Sequence, residues 1–500
     1  MKLEPVKHIL GISAGYHDAA ATVINTQGDI LFAGHAERYS KLKNDANLSA
    51  GLLTELCEWP YDTVAFYERP WLHNLQQLYS GQQPNSAWTT GGAIRQQLGA
   101  WYSRPALHER SYPHHLSHAA AGFQTSPYDR ATVVVIDAVG EFDTISIWGA
   151  EYDRMGTATY KKLWGQKYPH SIGLFYSAIT GRLGLRPLDE EYIVMGMAAY
   201  GCADSAADRI QHELVDSIDQ VKFKQNLHIG LDVTAFDGYS DADIAAGAQT
   251  VAEQLIYTVM ARARAFGYST NLVYQGGVAL NCLANRNLGN YFESIWIMPS
   301  PGDSGSSLGA AALAYGGPIK FNNAYLGHDI SGPYPVTAII HSLLRDRITG
   351  VASGRAEFGP RALGNRSLLA DPRGPDIKDL VNRIKRRQQF RPFAPVILEE
   401  HADAIFRMPS SWHTHAYMQS VSVCRSPDVY PAIVHHDGTS RVQTVPNDGS
   451  GIRRLLEAWY AATGCPLLLN TSLNIRGEPM VNDRADADRF ERLYGVQVHS

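Results

Sequence analysis

ILGISAGYHDAAATVINTQGDILFAG, residues 9–34, alternates apolar runs with short groups of turn residues. The first run, residues 9–13, leads into a polar loop that carries His17 and Asp18. The chain then returns through a second apolar run, turns at Gln27-Gly28-Asp29 and continues as a third. Apolar runs that are bounded by turn residues in this order predict strands joined as a hairpin or meander.

The same arrangement recurs further along the chain. Residues 131–137, ATVVVID, form another apolar run, after which the chain turns at 138–141 and returns over 144–150. A further core run, NLVY at 271–274, opens onto a pair of glycines. Strand–loop–strand units of this kind wrap phosphates in actin-like ATPase folds. The recurrence therefore predicts an α/β fold with an internally duplicated, actin-like (ribonuclease H-like) unit.

Composition and charge exclude several classes of protein. The chain has 500 residues, of which 45% are hydrophobic and 19% charged, and this indicates a globular protein of two or three domains. Its net charge of -5 gives no bulk attraction to nucleic acid or to an anionic membrane. The five cysteines form no CxxC pair, and neither a signal peptide nor an apolar run of bilayer length is present. We therefore expect a cytoplasmic protein with no membrane association.

A change in the character of the sequence predicts a domain boundary near residue 340. Glycine and proline residues interrupt the segment 325–350 before a new strand and helix begin. Apolar positions at helical spacing predict a long helix over 245–266 in the first part of the chain. The predicted domains are an N-terminal one, residues 1–340, and a C-terminal one, residues 341–500, which has apolar runs of its own.

Two histidines and two aspartates form a candidate metal site. Pro113 suits the first turn of a helix in which His114 and His118, four residues apart, share one face. Such a pair alone is more often a capping or core pair. Asp137 at the end of a buried strand and Asp303 in a glycine-containing loop complete a ligand set. The combination suits iron(II), manganese or zinc, which the sequence does not rank.

Two glycine loops form a candidate nucleotide site. Gly276 and Gly277 follow a strand and lead through Asn281 into a helix. Paired glycines let the backbone approach a ligand closely, and a helix N-terminus favours phosphate oxygens, although a tight turn explains the pair equally well. The loop with Gly302 and Gly305 would add backbone amides beside the second aspartate. Metal and nucleotide would then meet at one place.

The sequence motifs become specific when they are taken together. They are, in chain order, GISAGYHDAA (11–20), HHLSHAAAGF (114–123), VVVID (133–137), MGMAAYG (195–201), QGGVALN (275–281), PSPGDSGSSLGAA (299–311), GRAEFGPRALGNRSLLADPR (354–373), FRPFAPV (390–396) and LLNTSLNIRGEPM (468–480). In this order they resemble the O-carbamoyltransferases of antibiotic and nodulation-factor biosynthesis, over nearly the whole chain.

The resemblance implies an N-terminal domain similar to the tRNA threonylcarbamoyl-adenosine transferases, which binds iron and passes a carbamoyl group to a hydroxyl. It implies a C-terminal α+β YrdC-like domain that makes carbamoyl-adenylate from carbamoyl phosphate and ATP. The family's metal ligands fall on the two histidines and two aspartates named above, and its nucleotide loop on the paired glycines. The family's base falls on His17, beside Asp18. The family usually has a lysine where this chain carries Ile193.

The reaction that the resemblance implies needs cationic side chains to bind carbamoyl phosphate, and the C-terminal domain is rich in them. Guanidinium binds phosphate bidentately and stays charged, although any one arginine taken alone is more often part of a surface ion pair. Arg361 and Arg366 lie in glycine-bearing loop sequence, where the backbone also donates hydrogen bonds. The predicted set is Arg355, Arg361, Arg366, Lys385, Arg386, Arg391 and Arg441, with Asn470, Thr471 and Ser472 closing the same pocket.

Three other functions compete with this interpretation. A tRNA threonylcarbamoyl transferase would not need the adenylating tail, and a hydrogenase-maturation carbamoyltransferase would carry CxxC zinc fingers. A non-catalytic actin-like switch would leave the motif at 354–373 without a role. The acceptor stays open between a hydroxylated small molecule, such as an antibiotic or sugar, and hydroxymethylated DNA. A homodimer is the base-rate expectation for the assembly.

Overall fold

The first sheet is a meander extended by two parallel strands. The computed structural model describes residues 8–101 and 108–500. Its first strands are β1 (His8–Ser13), β2 (Ala20–Asn25), β3 (Ile30–His35), β4 (Thr63–Phe66) and β5 (His108–Ser111). β1, β2 and β3 pair antiparallel, whereas β4 lies parallel to β1 and β5 parallel to β4, in the order β3-β2-β1-β4-β5. The predicted meander over residues 9–34 is confirmed.

A second sheet repeats this topology. The next strands are β6 (Arg130–Gly140), β7 (Asp143–Tyr152), β8 (Ala158–Lys167), the short ribbon β9 (Val215–Ser217) and β10 (Lys222–Phe223), then β11 (Asn271–Gln275) and β12 (Ser294–Trp296). The sheet order is β12-β11-β6-β7-β8, with β6 to β8 antiparallel and β11 and β12 parallel to β6. β11 occupies the place that β4 has in the first sheet. The duplicated actin-like, ribonuclease H-like unit is therefore confirmed.

Eleven helices accompany these strands in the described part of the chain up to residue 320. They are α1 (Glu37–Ser40), α2 (Ala50–Leu56), α3 (Pro70–Tyr79), α4 (Thr90–Leu98), α5 (His114–Thr125), α6 (Ile172–Arg182), α7 (Glu191–Met197), α8 (Asp204–Leu214), α9 (Asp241–Ala265), α10 (Cys282–Asn285) and α11 (Ser306–Tyr315). α9 begins four residues before the predicted start at 245, because Ser240 and Asp243 form a capping box there. Among the described residues, no helix combines the length and apolar character that crossing a bilayer requires.

Helices α5 and α11 lie between the two sheets and touch closely. α11 contacts β1 and β2 of the first sheet, and α5 contacts β6 and β11 of the second. The contact depends on small residues: a Cβ at Gly309 of α11 would lie 1.8 Å from the Ser117 carbonyl oxygen of α5. Since these helices carry or adjoin the candidate metal ligands, this close approach determines the geometry of the site.

We expect Gly309→Ala to destabilise the protein by about 3 kcal/mol or more, because the methyl group forces the two buried helices apart. The midpoint of urea unfolding measures the effect. Gly196→Ala is the matched control, since Gly196 lies in α7 and nothing approaches its added Cβ closer than 4.0 Å. There alanine stabilises the helix by up to about 1 kcal/mol. Equal midpoints for the two variants would contradict this packing.

The C-terminal part is an α+β unit around a six-stranded sheet. Its strands are β13 (Tyr325–Ile330), β14 (Ile348–Ala352), β15 (Gly354–Glu357), β16 (Arg366–Ala370), β17 (Ala394–Leu398), β18 (Phe406–Arg407), β19 (Ser422–Cys424), β20 (Thr439–Ser440), β21 (Gln443–Val445), β22 (Leu467–Ser472) and β23 (Val498–His499). Its helices are α12 (Val336–Asp346), α13 (Ile377–Ile384), α14 (Ala402–Ile405), α15 (Gly451–Thr463) and α16 (Arg484–Tyr494). The sheet order is β21-β17-β22-β16-β14-β23. The predicted α+β class is confirmed.

The two parts share hydrogen bonds as well as an interface. β13 and β15 pair antiparallel across the segment that contains residue 340, which itself lies within α12. Arg38 of α1 donates to the Gly359 carbonyl at 3.0 Å, and the Gly359 amide donates to His35 Nε2 at 3.0 Å. The loop after β15 is thus fixed to the first sheet, and this contact holds the two parts around a common cavity.

Candidate functional site

Four buried side chains converge between the two sheets. His114 and His118 at the start of α5 bring their Nε2 atoms to 3.1 Å from each other. Asp303 Oδ1 lies 3.3 Å from His114 Nε2 and 3.2 Å from His118 Nε2. Asp137 Oδ2 lies 3.4 and 3.3 Å from the same two nitrogens. The structure therefore brings together all four predicted metal ligands.

These separations fit one cation. Ligands at about 2.0–2.1 Å from a tetrahedral metal ion lie about 3.4 Å apart, close to the distances observed here. All four ligand atoms lie within 4.8 Å of one another, and all four residues are buried. Two imidazoles and two carboxylates suit a divalent transition metal. The donor set and its spacing thus fit the predicted metal.

Local sequence explains how the ligands reach this point. Pro113 is extended, with ψ of 137°, and α5 begins at the next residue. The imidazoles of His114 and His118 lie on one face of this helix because the two residues are four positions apart. Gly140 makes room for them, because a Cβ there would lie 2.6 Å from the ring of His114. Asp303 lies on a single 3₁₀ turn just before α11, where the close contact with α5 carries it towards His118.

A second layer of polar groups, which the sequence analysis missed, orients the two imidazoles. Glu68 Oε2 lies 3.3 Å from His114 Nδ1 and 3.2 Å from His73 Nδ1. Ser306 Oγ lies 3.1 Å from His118 Nδ1. Partners of this kind fix the tautomer and the ring orientation of metal-binding histidines. Glu68 follows β4 as Gly276 follows β11, so the duplicated topology is the signal that would have located it.

Without a cation, protons balance the carboxylates of the cluster. Burial by itself would lower the pKa of His114, but Asp303, Asp137 and Glu68 outweigh it and hold that pKa well above its usual value. Burial would likewise raise the pKa of Asp303, yet the neighbouring imidazoles lower it. The cluster therefore binds positive charge in either form, and a divalent ion competes there with protons.

His17 and Asp18 lie at the edge of this cluster. His17 Nε2 is 3.6 Å from Asp303 Oδ2, and its Nδ1 is 3.1 Å from Asp18 Oδ2. Burial opposes protonation, but Asp303 and Asp18 outweigh it and raise the pKa of His17 to about 9. The structure thus places the predicted base next to a predicted metal ligand, with its protonation state coupled to the charge on that ligand.

A cavity of about 430 Å³ connects the cluster with the C-terminal part. At one end it is lined by His17, Asp18, Asp137 and Asp303. Its other end carries a group of cationic and hydrogen-bonding residues from the six-stranded sheet and the loops beside it, namely Arg361, Lys385, Arg387, Arg391, Arg441, Asn470, Thr471, Ser472 and Arg476. One cavity therefore has an acidic metal-binding end and a basic end.

The cations at the basic end have too few anionic partners. Burial and the nearby Arg441 lower the pKa of Arg361 to about 9. Burial, with Arg391 and Arg441, lowers the pKa of Arg387 well below its usual value. The Nε atoms of Arg361 and Arg441 are buried without a hydrogen-bond partner in the described part of the chain. Guanidinium groups with buried, unpaired nitrogens are costly, so this arrangement is suited to binding an anion.

Comparison with known proteins identifies the family. The sequence matches the family profiles Carbamoyltransferase N-terminus over residues 103–312 and Carbamoyltransferase C-terminus over residues 340–498. It is 30% identical to the nodulation protein NolNO of Sinorhizobium fredii, over 94% of this chain and 76% of that protein. The chain belongs to the carbamoyltransferase family. This carbamoyltransferase is therefore an enzyme, and the alternative of a non-catalytic switch is wrong.

The chain is also similar to other proteins. The carbamoyltransferase is 32% identical to the nodulation protein NolO of Bradyrhizobium diazoefficiens, over 75% of each chain, and 32% identical to the uncharacterized protein sll1178 of Synechocystis, over 96% of this chain and 94% of that protein. Among solved structures, the activator of the 2-hydroxyisocaproyl-CoA dehydratase from Clostridium difficile covers 62% of this chain and 94% of its own, at 14% identity and a TM-score of 0.36. Full-length HypF covers 63% of this chain and 56% of its own, at 13% identity and a TM-score of 0.34.

Several predicted arginines of the carbamoyltransferase lie elsewhere. Arg366 is fully buried outside the cavity, where its guanidinium donates to five backbone carbonyls, those of His328, Ser353, Gly354, Asn365 and Asn482. Arg355 donates to the carbonyls of Leu31, Leu326 and Gly327. The Arg386 guanidinium lies over the Tyr494 ring. For these three the prediction of a phosphate contact is wrong, because their charge supports the backbone or packs on an aromatic ring.

Lys385 lines the cavity but is already engaged. Its ammonium group donates to the carbonyl oxygens of Ser472 and Asn474, at 2.5 and 2.9 Å, and to the Asn474 side chain at 2.9 Å. It therefore holds the loop after β22 in place. Arg387 and Arg476 of the basic end were not predicted. Arg476 also pairs with Glu190 at 3.1 Å, and Arg387 lies over the Phe393 ring.

Two of the four glycines in the predicted nucleotide loops line the cavity, and the other two lie in tight packing beside it. Gly277 lines the cavity, and its amide donates to Asp137 Oδ1 at 3.1 Å, so this loop is tied to a metal ligand. Gly302 also lines it. Gly276 and Gly305 do not: a Cβ at Gly276, where φ is 90°, would lie 2.2 Å from the Ile136 carbonyl, and one at Gly305 would lie 1.8 Å from that of Ser300. They permit close packing rather than ligand contact, which corrects their predicted role.

Two further positions bear on nucleotide binding. Asn281 lines the cavity, but its amide exchanges hydrogen bonds of 3.0 and 3.1 Å with Gln249 and caps α10. Ile193, where the resemblance predicts a lysine, is a buried residue of α7. Its neighbour Tyr192 lines the cavity, and the Arg391 guanidinium lies 4.7 Å from that ring.

Proposed function

We propose that this carbamoyltransferase activates carbamoyl phosphate with ATP as carbamoyl-adenylate and transfers the carbamoyl group to an acceptor hydroxyl. The observation that carries the proposal is the single cavity with an acidic, metal-binding end and a basic, anion-binding end. In the net activation step, ATP, carbamoyl phosphate and water give carbamoyl-adenylate, pyrophosphate and phosphate. The unpaired guanidinium groups at the basic end would neutralise these phosphoryl groups, which otherwise repel one another.

The transfer step belongs to the acidic end. The acceptor oxygen attacks the carbamoyl carbon, the bond from that carbon to the adenylate oxygen breaks, and AMP leaves. A cation bound at this site would offset the charge of Asp303, which raises the pKa of His17, and would leave the imidazole free to act as a base. His17 then accepts the proton of the acceptor hydroxyl, and Asp18, 3.1 Å from its Nδ1, orients the ring. A divalent cation on His114, His118, Asp137 and Asp303, iron(II) in our proposal, would supply Lewis-acid polarisation of a ligand oxygen. Because both ends belong to one cavity, the mixed anhydride would pass from the basic end to the acidic end without leaving the protein.

The acceptor hydroxyl is proposed to belong to a small molecule such as a sugar or an antibiotic, or to a hydroxymethyl pyrimidine in DNA. Every member of this set presents an alcohol on a ring. ATP–pyrophosphate exchange that depends on carbamoyl phosphate tests the activation step without knowledge of the acceptor. No exchange with metal-loaded wild-type protein would overturn the adenylate mechanism, and the family membership would stand without it.

We expect His17→Asn to keep carbamoyl-phosphate-dependent exchange while lowering transfer by about 10²–10⁴-fold, the usual contribution of a positioned base. Asparagine keeps a hydrogen-bonding group of similar size but accepts no proton at neutral pH. Both rates are measured with labelled substrates. His341→Asn on α12, outside the cavity, is the control. Transfer at the wild-type rate in His17→Asn would contradict the base assignment.

A further inference from the structure

Helix α3 is inverted relative to an ordinary surface helix. Its buried side carries the polar residues His73, Asn74, Gln76 and Gln77. Its outer side carries large apolar residues, namely Trp71, Leu75, Leu78 and Tyr79, which are 48, 42, 51 and 71% exposed. These four lie within about 100° of one another around the helix axis, so they form one stripe, the outer stripe. Contiguous exposed apolar surface marks an interaction site, whereas single exposed apolar residues are ordinary.

Contacts on the inner side fix this orientation of α3. The Asn74 amide donates to a carbonyl of the following loop at 2.9 Å, and the Gln77 side chain accepts from the Asn85 amide at 3.1 Å. His73 Nδ1 lies 3.2 Å from Glu68 Oε2, the carboxylate that orients a metal ligand. A rotation that buried the outer stripe would break all three contacts and leave polar groups unpaired. The apolar side therefore stays outward, where a second molecule can cover it.

The segment that contains α3 lacks charge. Residues 70–94 contain no aspartate, glutamate, lysine or arginine, whereas 25 residues at the average frequency of 19% would carry about five. The cores of protein–protein interfaces are depleted of charged residues and enriched in aromatic ones, as this segment is. Helices that lie on membrane surfaces combine their apolar side with lysine and arginine, which this segment does not contain. The outer stripe therefore favours a protein partner over a lipid surface.

The size of the outer stripe fits a dimer interface. A whole aromatic side chain buries about 150–250 Å², so the exposed parts of Trp71 and Tyr79 amount to about 250 Å². The two leucines and Ile229, which is 83% exposed, bring the apolar area to about 450 Å². Ile229 belongs to this surface because the neighbouring His228 Nε2 lies 3.3 Å from Gln82 Nε2, just beyond α3. One partner of a standard interface buries about 800 Å², somewhat more than half of it apolar, which this surface nearly supplies.

A second copy of the chain is the partner that this surface fits. An apolar surface without charges has no charge pattern with which to select a different protein, but it is complementary to itself. A two-fold interface requires the same patch on both subunits. We propose that α3 packs antiparallel on α3 of a second copy, across a two-fold axis near Leu75, the residue in the middle of the outer stripe. Trp71 of each copy then packs on Leu78 of the other. The inference does not depend on the proposed reaction.

The oligomeric state of the full chain tests this interface. Light scattering on the peak that elutes from a sizing column gives the molar mass at micromolar concentration. We expect a dimer for wild-type protein and monomers for Leu75→Glu and for Leu75→Lys, with dimerisation weakened by about 100-fold or more because like charges meet at the axis. An equimolar mixture of these two variants should form a dimer again, since opposite charges then face each other. Leu344→Glu on α12, at a leucine that is 55% exposed, is the matched control and should remain dimeric.

Four results would overturn the proposal. Monomeric wild-type protein would remove the dimer, and a dimer that persists in both Leu75 variants would place the interface elsewhere. Monomers in the mixture of Leu75→Glu and Leu75→Lys would contradict packing across a two-fold axis at this residue. Loss of the dimer in Leu344→Glu as well would show that an added surface charge acts without regard to position. Monomeric wild-type protein that binds vesicles of phosphatidylcholine and phosphatidylglycerol, with binding lost in Leu75→Glu, would assign the outer stripe to a membrane instead.

Discussion

Arg361→Met abolishes carbamoyl-phosphate-dependent pyrophosphate exchange and leaves the protein folded; this is the result we expect. The Arg361 guanidinium lines the cavity, its Nε has no partner in the described part of the chain, and Arg441 lies close enough to lower its pKa. Two charge-assisted hydrogen bonds to a phosphoryl ligand are together worth about 3–6 kcal/mol, so activity falls by about 10²–10⁴-fold. Because methionine removes an uncompensated buried charge, the free energy of unfolding stays level or rises.

Arg366→Met is the matched control, only five residues away. Its guanidinium supports five backbone carbonyls and does not line the cavity. Each carbonyl that loses its donor costs about 1–3 kcal/mol, and the sum approaches the whole stability of a typical domain. We expect this variant to be insoluble or unfolded. Thermal unfolding and pyrophosphate-exchange assays on both variants test the phosphate-binding role of Arg361 and the structural role of Arg366. A folded Arg366→Met without exchange, or an unfolded Arg361→Met, would contradict this assignment.

His118→Ala should remove the metal from the protein. His118 Nε2 lies 3.2 Å from Asp303 and 3.3 Å from Asp137, at the centre of the ligand set. Loss of a direct ligand lowers metal affinity by more than about 100-fold, because even the outer partners of metal ligands account for about 10–100-fold. Elemental analysis of purified protein that has been loaded with iron(II) and then desalted measures the metal content, independently of enzyme activity.

His115→Ala separates this effect from a general loss of packing. His115 is buried next to the ligands, but its Nδ1 lies 2.8 Å from Ser146 Oγ, and it does not belong to the cluster. We expect this variant to be less stable and still to bind one equivalent of metal. Similar metal content in His118→Ala and wild-type protein would refute the ligand set, whereas loss of metal from both variants would indicate that folding rather than ligation is being measured.

The sequence predicted the parts of the fold and site that depend on local pattern. The run at residues 9–34 becomes β1 to β3 because strand periodicity and turn residues agree there. His114 and His118 face one cation because helix geometry fixes residues four apart on one side. Asp137 and Asp303 were predicted from the neighbouring apolar runs together with the family resemblance, although Asp137 lies within β6 rather than at its end.

The remaining site residues could not be assigned from the sequence because their roles depend on contacts between distant parts of the chain. Arg361 and Arg366 lie in the same motif, and nothing local shows that one faces the cavity while the other is enclosed by carbonyls from residues as distant as Asn482. Arg387 and Arg476 reach the basic end only because the loops beside β17 and β22 meet there. Glu68 acts on His114 across 46 positions of sequence. Such roles depend on which segments pack together, and no periodicity encodes that.

The ligand set spans the internal duplication. His114 and His118 lie on the helix that follows the first sheet, whereas Asp137 and Asp303 belong to the second repeat. An ion held by all four would fasten one repeat to the other, and at a hundred times its dissociation constant it would contribute about 2.7 kcal/mol to folding. The lifetime of this enzyme in a cell would therefore follow the supply of that ion, and starvation for it would leave a population whose repeats separate more easily and are open to proteolysis.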